Sequence, residues 1–335
     1  MGKLTRKWVQ DAATDARSQS ARPAVDDEHV FVGGLGEELF ALSRADGSVS
    51  WSVTRDGALS DSSPCYRDGC VYVGSGGGSV YALDASDGSE IWKFASGSAV
   101  VSSPIVRDGT VYVGRDDGTV LALDAADGSL SWRVDVGAPV YTDLDYSTGA
   151  ELVYAGTKGG SLFALDAATG ASVWSQRFGT AIGSSAPVVD EARGLVYFAA
   201  DEIMALTVDA GAAAWATNFY GANAGSAPVF DERFVYAGGA SGRVYALAPD
   251  GSVIYTEPDW TFETRGTVAA DPAVFGGRLA VAALDGTIYL LDSTSGSELD
   301  RLELDSETRS SPVVVDGEVY IGSRNGDVYA FEVMK

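Results

Sequence analysis

Few residues of this chain can carry redox or metal chemistry. Its 335 residues include two cysteines, one histidine and three methionines. That is too few cysteines and histidines for a four-ligand zinc site without carboxylates, and no spacing suggests one. His29 is the only imidazole available to a Ser-His-Asp arrangement, and it opens a strand, where a solvated ring is the simpler reading. No apolar run is long enough to span a bilayer. Met1 to Gln10, MGKLTRKWVQ, lacks the apolar middle and the small-residue cleavage site of a secretory signal. No stretch keeps a 3.6-residue apolar period for ten residues, which excludes helical repeats. The expectation is a soluble chain of unassigned compartment, because a trimmed secreted product would read the same.

Lysine is also scarce. Five lysines and 18 arginines face 32 aspartates and 15 glutamates, for a net charge of −24. Phosphate backbones and anionic lipids would be repelled, so nucleic acid and direct membrane attachment are not expected. The acids are spread through turns rather than gathered in a tail. With so little lysine, the surface resembles that of salt-adapted, haloarchaeal proteins, in which screening tames self-repulsion.

What the chain has is glycine, 41 of them, and repetition. SSPCYRDGCVYVGSGGGSVYALDASDGSEIW at Ser62–Trp92 returns as SSPIVRDGTVYVGRDDGTVLALDAADGSLSW at Ser102–Trp132. Aligned on the apolar pair opening each second strand, eight copies start at Val30, Val71, Val111, Val153, Val196, Val235, Leu279 and Val319, 39 to 44 residues apart. A proline precedes six of these pairs at constant spacing: Pro23, Pro64, Pro104, Pro228, Pro272 and Pro312. Copy five keeps Pro187 with two extra residues, and copy four has Asp143 and a longer turn. Each copy divides into four short strands joined by turns such as Asp108-Gly109, which favours positive φ at both positions. Near-continuous apolar strands (TVYVG, VLALDA) indicate sheets covered on both faces. Sheets covered by copies of themselves are propeller blades.

Copy eight ends after its third strand, and LTRKWVQ supplies the missing fourth strand, with Trp8, from the N-terminus. The expected fold is an all-β, eight-bladed propeller of four-stranded antiparallel blades, closed by residues 1–10 pairing with blade eight. Blades one to eight are placed at 22–53, 62–94, 102–134, 140–178, 185–219, 226–258, 267–304 and 310–335. Proline suits the first, innermost strand, an edge where a missing N–H costs no ladder bond.

VYVGSGGGSVYALDASDGSEIW, VYVGRDDGTVLALDAADGSLSW and VYAGTKGGSLFALDAATGASVW resemble the repeats of the pyrroloquinoline-quinone-type propeller family over almost the whole chain. In that family the tryptophan docks each blade against the next. The resemblance places docking residues at Trp8, Trp51, Trp92, Trp132, Trp174 and Trp215, with Tyr255 and Asp300 as departures. The junctions around blades six and seven are therefore expected to be the least firmly held. The family's quinoprotein dehydrogenases also imply adjacent cysteines under the quinone, a calcium-holding carboxylate and amide set, and an aspartate base. Cys65 and Cys70 are not adjacent, and nothing carries over residue by residue. No catalytic residue, metal or cofactor is assigned. Weak calcium binding at the repeated D-A-x-D-G-S turns stays open, although these lack the spacing of a calcium loop and Asp-Gly is ordinary turn chemistry. A Cys65–Cys70 bridge is conceivable and also open. GSGGGS at Gly74–Ser79 joins two strands and offers no helix N-terminus for a phosphate.

Residues before the prolines are usually small, so the departures are the candidate funnel residues: Arg22, Asp61, Tyr141, Asp143, Asp271 and Arg309. Tyr220 joins them as a possible aromatic platform. Their charges could serve a ligand or pair with one another. EPDWTFETRG, Glu257 to Gly266, is read as an inter-blade loop in which Trp260, Phe262 and Arg265 form an interface or fold back over a weak blade contact. The favoured function is a monomeric, non-catalytic scaffold that docks a protein or peptide, similar in kind to the family's outer-membrane assembly lipoprotein. A quinone-dependent or other redox enzyme is the alternative, and a sugar- or polymer-binding module the second.

Overall fold

In the computed structural model, residues 2–11, 21–34, 36–59, 62–178, 185–200, 202–217, 226–251 and 259–334 are described. They form eight four-stranded antiparallel sheets, each built from consecutive strands except the last. In blade eight, Lys3–Asp11 pairs with Asp327–Met334 as the outermost strand, from Lys3 opposite Met334 to Asp11 opposite Asp327. The ring is closed by its N-terminal strand.

Local chemistry sets the hairpins. Asp108 and Gly109 have φ of 48° and 74°, the conformation of a two-residue turn whose twist matches its flanking strands. Asp68-Gly69 and Asp316-Gly317 repeat it. The middle two strands of each blade are buried, whereas the fourth strand alternates exposed and covered residues. Apolar side chains therefore collect between blades. Eight clusters fill the junctions, from Phe31, Leu39, Val71 and Tyr81 between blades one and two to Trp8, Val30, Tyr320 and Val328 between blades eight and one.

One contact recurs at seven of these junctions. Each of the seven tryptophans sits in a fourth strand, and its indole Nε1 donates to a backbone carbonyl of the next blade at 2.8–3.1 Å. At six of them the indole face lies against the glycine that turns the next blade's third strand into its fourth. A Cβ on Gly47, Gly88, Gly128, Gly170, Gly211 or Gly296 would fall 2.4–2.7 Å from the ring, and φ there is 61–77°. Glycine is required twice, by the backbone and by the indole. Behind each tryptophan lies the aromatic of its own second strand, as with Tyr112 and Trp132, ring centroids 5.8 Å apart.

Trp260 is one of these seven, and here the structure corrects the sequence reading. It begins the fourth strand of blade six, Trp260–Glu263, and donates to Ser293 O at 3.1 Å. Blade six therefore runs past the expected boundary at residue 258. The copy carries an insertion before its last strand, which misplaced the docking position onto Tyr255, a residue outside those described. The remaining departure is at blade seven, where Ala280 and Asp300 replace the aromatic and the indole together. Asp300 Oδ2 instead accepts from Leu4 N, 2.7 Å away in the closing strand.

Trp260 is half-buried, so Trp260→Ala should cost about 3 kcal/mol, the low end of the range for emptying an indole site. Urea unfolding measures it, and a loss below about 0.5 kcal/mol, typical of surface changes, would contradict the docking assignment.

Candidate functional site

A proline stands just before most of the innermost strands, and of the residues preceding these prolines Arg22, Ser63, Ser103, Ala186, Asp271 and Ser311 line a central cavity. These residues form a partial hydrogen-bonded girdle. Arg22 N donates to Ser63 Oγ (3.0 Å), Ser63 N to Ser103 Oγ (2.9 Å) and Ser103 N to Asp143 Oδ1 (3.0 Å). Ala227 N donates to Asp271 Oδ1 (2.6 Å), and Asp271 N to Ser311 Oγ (2.9 Å). Each backbone N–H thus finds a side-chain oxygen one blade further round. Ala186, Ala227 and Arg22 offer no such oxygen to the blade before them, and the girdle is interrupted there. One residue earlier, Ser62, Ser102, Ser185, Ser226 and Ser310 accept from Gly74, Gly114, Ala199, Gly238 and Gly322 N, tying each first strand to its second.

Above the girdle lies a cavity of about 430 Å³, lined by residues that include Arg22, Tyr141, Asp143, Thr267, Asp271 and Arg309. A second space of about 330 Å³ continues along the inner strands past Pro64, Cys65, Pro104 and Arg107, and Arg22 and Ser103 border both. Arg22 of blade one reaches across the channel to Asp143 of blade four, Nη2 to Oδ2 at 3.2 Å. Asp143 holds the guanidinium more firmly protonated, against the opposing effect of burial. Asp271 of blade seven has no cation within ion-pair distance among the described residues. Burial pushes its carboxyl up to about 6, and Asp143 adds to this, while Arg22 and the Ala227 N–H oppose it. Burial also raises the Cys65 thiol, opposed by Arg22 and Arg107.

Five of the seven funnel candidates therefore meet in one cavity, and Arg22 and Asp143 pair with each other. Tyr141 stands at the rim, its hydroxyl bonded to Asp116 and its ring 4.7 Å from Lys158 Nζ. Asp61 and Tyr220 lie outside the described residues. The interface-loop reading of Trp260, Phe262 and Arg265 is not upheld. Phe262 packs on Tyr289 of blade seven at 5.3 Å between centroids, and Arg265 pairs with Glu303 at 2.7 Å. All three face the next blade, because they belong to a fourth strand and the turn after it. The cavity also takes in Ser63, Ser103, Ser311 and Thr267, which sequence reasoning does not single out. For the serines, their constant place before the prolines is the available signal.

In the turns, the aspartates are engaged locally. Asp84 Oδ1 accepts from Ser86 N and Oγ, and Asp127 Oδ1 from Ser129 N. Among the described residues no group of three or more His, Cys, Asp or Glu is arranged to hold a metal. Both cysteines are free thiols, Cys65 opposite Tyr72 and Cys70 opposite Arg67.

Eight such blades in a ring closed by the first strand define an eight-bladed β-propeller. The chain belongs to the β-propeller family described as "Beta-alanine-activating enzyme, beta-propeller", whose profile matches residues 14–333. It is 36% identical to the beta-alanine-activating enzyme of Danio rerio over 107 residues, 30% of this chain and 9% of that protein. The Mus musculus enzyme is 37% identical over 82 residues, 22% of this chain and 8% of its own length. The chain thus matches about a tenth or less of these curated relatives. Among solved structures, BamB from Moraxella catarrhalis superposes with a TM-score of 0.80 at 20% identity, covering 98% of this chain and 97% of that one. A quinohemoprotein alcohol dehydrogenase from Pseudomonas putida superposes with 0.80 at 16%, covering 98% and 76%. At these identities the likeness is one of fold.

The cavity does not suit the quinone of those dehydrogenases. Pyrroloquinoline quinone is a flat tricarboxylate. Here Asp143 and Asp271 line the space, Arg22 is already paired, Arg309 alone is left to face three carboxylates, and among the described residues no tryptophan lines the cavity to stack on a ring.

Asp271 generates a pH prediction. Its folded pKa is raised, so its contribution is favourable at low pH and is lost as pH rises from about 4 through about 6. Asp271→Asn keeps an acceptor for Ala227 N and removes the charge. The variant should melt higher than the parent at pH 8, by up to about 3 kcal/mol before screening. The difference should vanish near pH 4, and thermal melts across this range would expose the opposite trend.

Proposed function

We propose that this propeller is a non-catalytic binding module that docks a protein or peptide partner as a single ring. The observation that carries the reading is how the channel's polar groups are used. Serine hydroxyls and one oxygen each of Asp143 and Asp271 accept the N–H groups of neighbouring blades, and Arg22 and Asp143 neutralise one another. Groups committed to holding blades together are poor candidates for moving protons or attacking a substrate, since catalysis needs a nucleophile and base free to react. The match to a small part of longer enzymes supports a module that works beside a catalytic partner. BamB, a full-length structural match, supports the same architecture standing alone. Activation of β-alanine belongs to the named relatives, and no group in the channel is assigned to it.

The purified chain, mixed with pyrroloquinoline quinone and calcium and then desalted, should retain no quinone absorbance and reduce no dye with alcohols. A bound chromophore with alcohol-dependent turnover would instead establish the redox reading.

The acidic surface supports adaptation to salt. Lowering NaCl from about 1 M to about 0.01 M lengthens the screening distance from about 3 Å to about 30 Å. The melting temperature should fall accordingly, and a constant value would exclude salt adaptation.

A further inference from the structure

We infer that the second space of the channel binds an amphiphilic monoanion, an alkyl chain ending in one carboxylate, with its charge on Arg107 and its chain along the inner strands of blades one to three. This goes beyond the docking of a macromolecular partner and does not depend on it. The space measures about 330 Å³, and its walls include Val25, Pro64, Ile105 and Val313. The chain carries 47 acids against 23 lysines and arginines. Yet among the described residues no acid lines this space, and its charged lining residues are Arg22 and Arg107. The two cavities thus divide the channel's charges. Asp143 and Asp271 stand with Arg22 and Arg309 around the first, and arginines stand alone around the second.

One of these arginines is committed, because Arg22 lies 3.2 Å from Asp143. Arg107 has no ion pair among the described residues, and Nη1 donates to Val106 O at 2.9 Å. The Asp145 carboxylate feels both guanidinium groups. Its oxygens instead accept backbone N–H groups, from Tyr146 to Oδ1 and from Val189 to Oδ2, each at 2.8 Å. One cation therefore remains, which calls for a single negative charge. Ile105 and Arg107 alternate with Val106 on one short strand, so their side chains share a face. An apolar group and a cation thus follow one another along the wall. Val25, Ile105 and Val313 are each half-buried, leaving apolar surface toward the space. Small-molecule pockets run from roughly 300 to 1,000 Å³ and combine apolar walls with a few placed polar groups. A bare hydrocarbon would leave Arg107 without a counter-charge. A small inorganic anion would leave the apolar wall wet. An alkyl carboxylate satisfies both, and its charge-assisted bond to a guanidinium is of the stronger kind.

Titration calorimetry with saturated carboxylates from butyrate to decanoate, kept below micelle formation, tests this on the full chain at pH 8. Octanol and octylamine are the controls, with the same chain and either no charge or the opposite one. At least one carboxylate should bind, and each added methylene should tighten binding by up to about fourfold until the space is filled. Both controls should bind at least about tenfold more weakly than the tightest carboxylate, as expected for losing one charged hydrogen bond. Arg107→Gln should weaken that carboxylate by a similar factor, and so should Val313→Asp, which adds a negative charge to the wall. Melting curves establish that the variants fold. Arg107 is exposed, so its variant decides the matter even where Val313→Asp does not fold. The inference is overturned if no carboxylate binds, if chain length has no effect, or if folded Arg107→Gln binds like the parent. It is equally overturned if octanol binds as tightly, which would mark an apolar pocket only. None of these results bears on quinone binding or on partner docking.

Discussion

The structure depends on one contact repeated around a circle: an indole edge reaching a backbone carbonyl of the next blade while its face lies on a glycine that has no side chain to be displaced. A solitary four-stranded sheet of this composition would leave two apolar faces in water, and an open stack would leave two. Closing the circle removes both, and that requires each blade to meet its neighbour at the same angle. The indole and glycine set that spacing by direct contact, at 2.4–2.7 Å to the position a Cβ would occupy. The hydrogen bond selects which backbone carbonyl the indole meets.

The exception falls at the closure. Between blades seven and eight the indole and its supporting aromatic are both gone, and a carboxylate holds a backbone N–H of the closing strand. Losing the two together is physically consistent, since each ring packs on the other elsewhere. The closing strand, paired within blade eight to Asp327–Met334, presents Leu4 to blade seven. Leu4, Tyr329 and Phe331 fill the apolar space below. A carboxylate-to-backbone hydrogen bond and apolar packing serve there in place of the indole contact.

At the axis the constraint changes from packing to polarity. Where the inner strands meet the central cavity, a backbone N–H left without an acceptor is unfavourable. Serine before proline resolves this: the proline needs no partner, and the serine oxygen serves the blade behind it. Where aspartate replaces serine, the same bond persists and a second oxygen remains. Asp143 commits that oxygen to Arg22. Asp271 has no ion-pair partner among the described residues, and burial pushes its carboxyl above the usual carboxylate range.

The repeat period, strand count, turn residues and closing strand were legible in the sequence because each follows from local periodicity and turn chemistry, which recur at fixed spacing. So were the positions facing the channel, marked by departures such as Asp143 and Asp271 from the small residues before proline. Trp260 was not legible, since an insertion before the last strand of blade six broke the register by which docking positions were counted. Nor could spacing tell that Arg22 meets Asp143 while Asp271 and Arg309 stay apart. Those residues are separated by many tens of positions along the chain, and their meeting depends on which blades stand opposite across the ring. By itself the sequence determined what each blade is; only the closed circle decided which charges cancel, because distance across a channel is a property of the assembled ring and not of any one repeat.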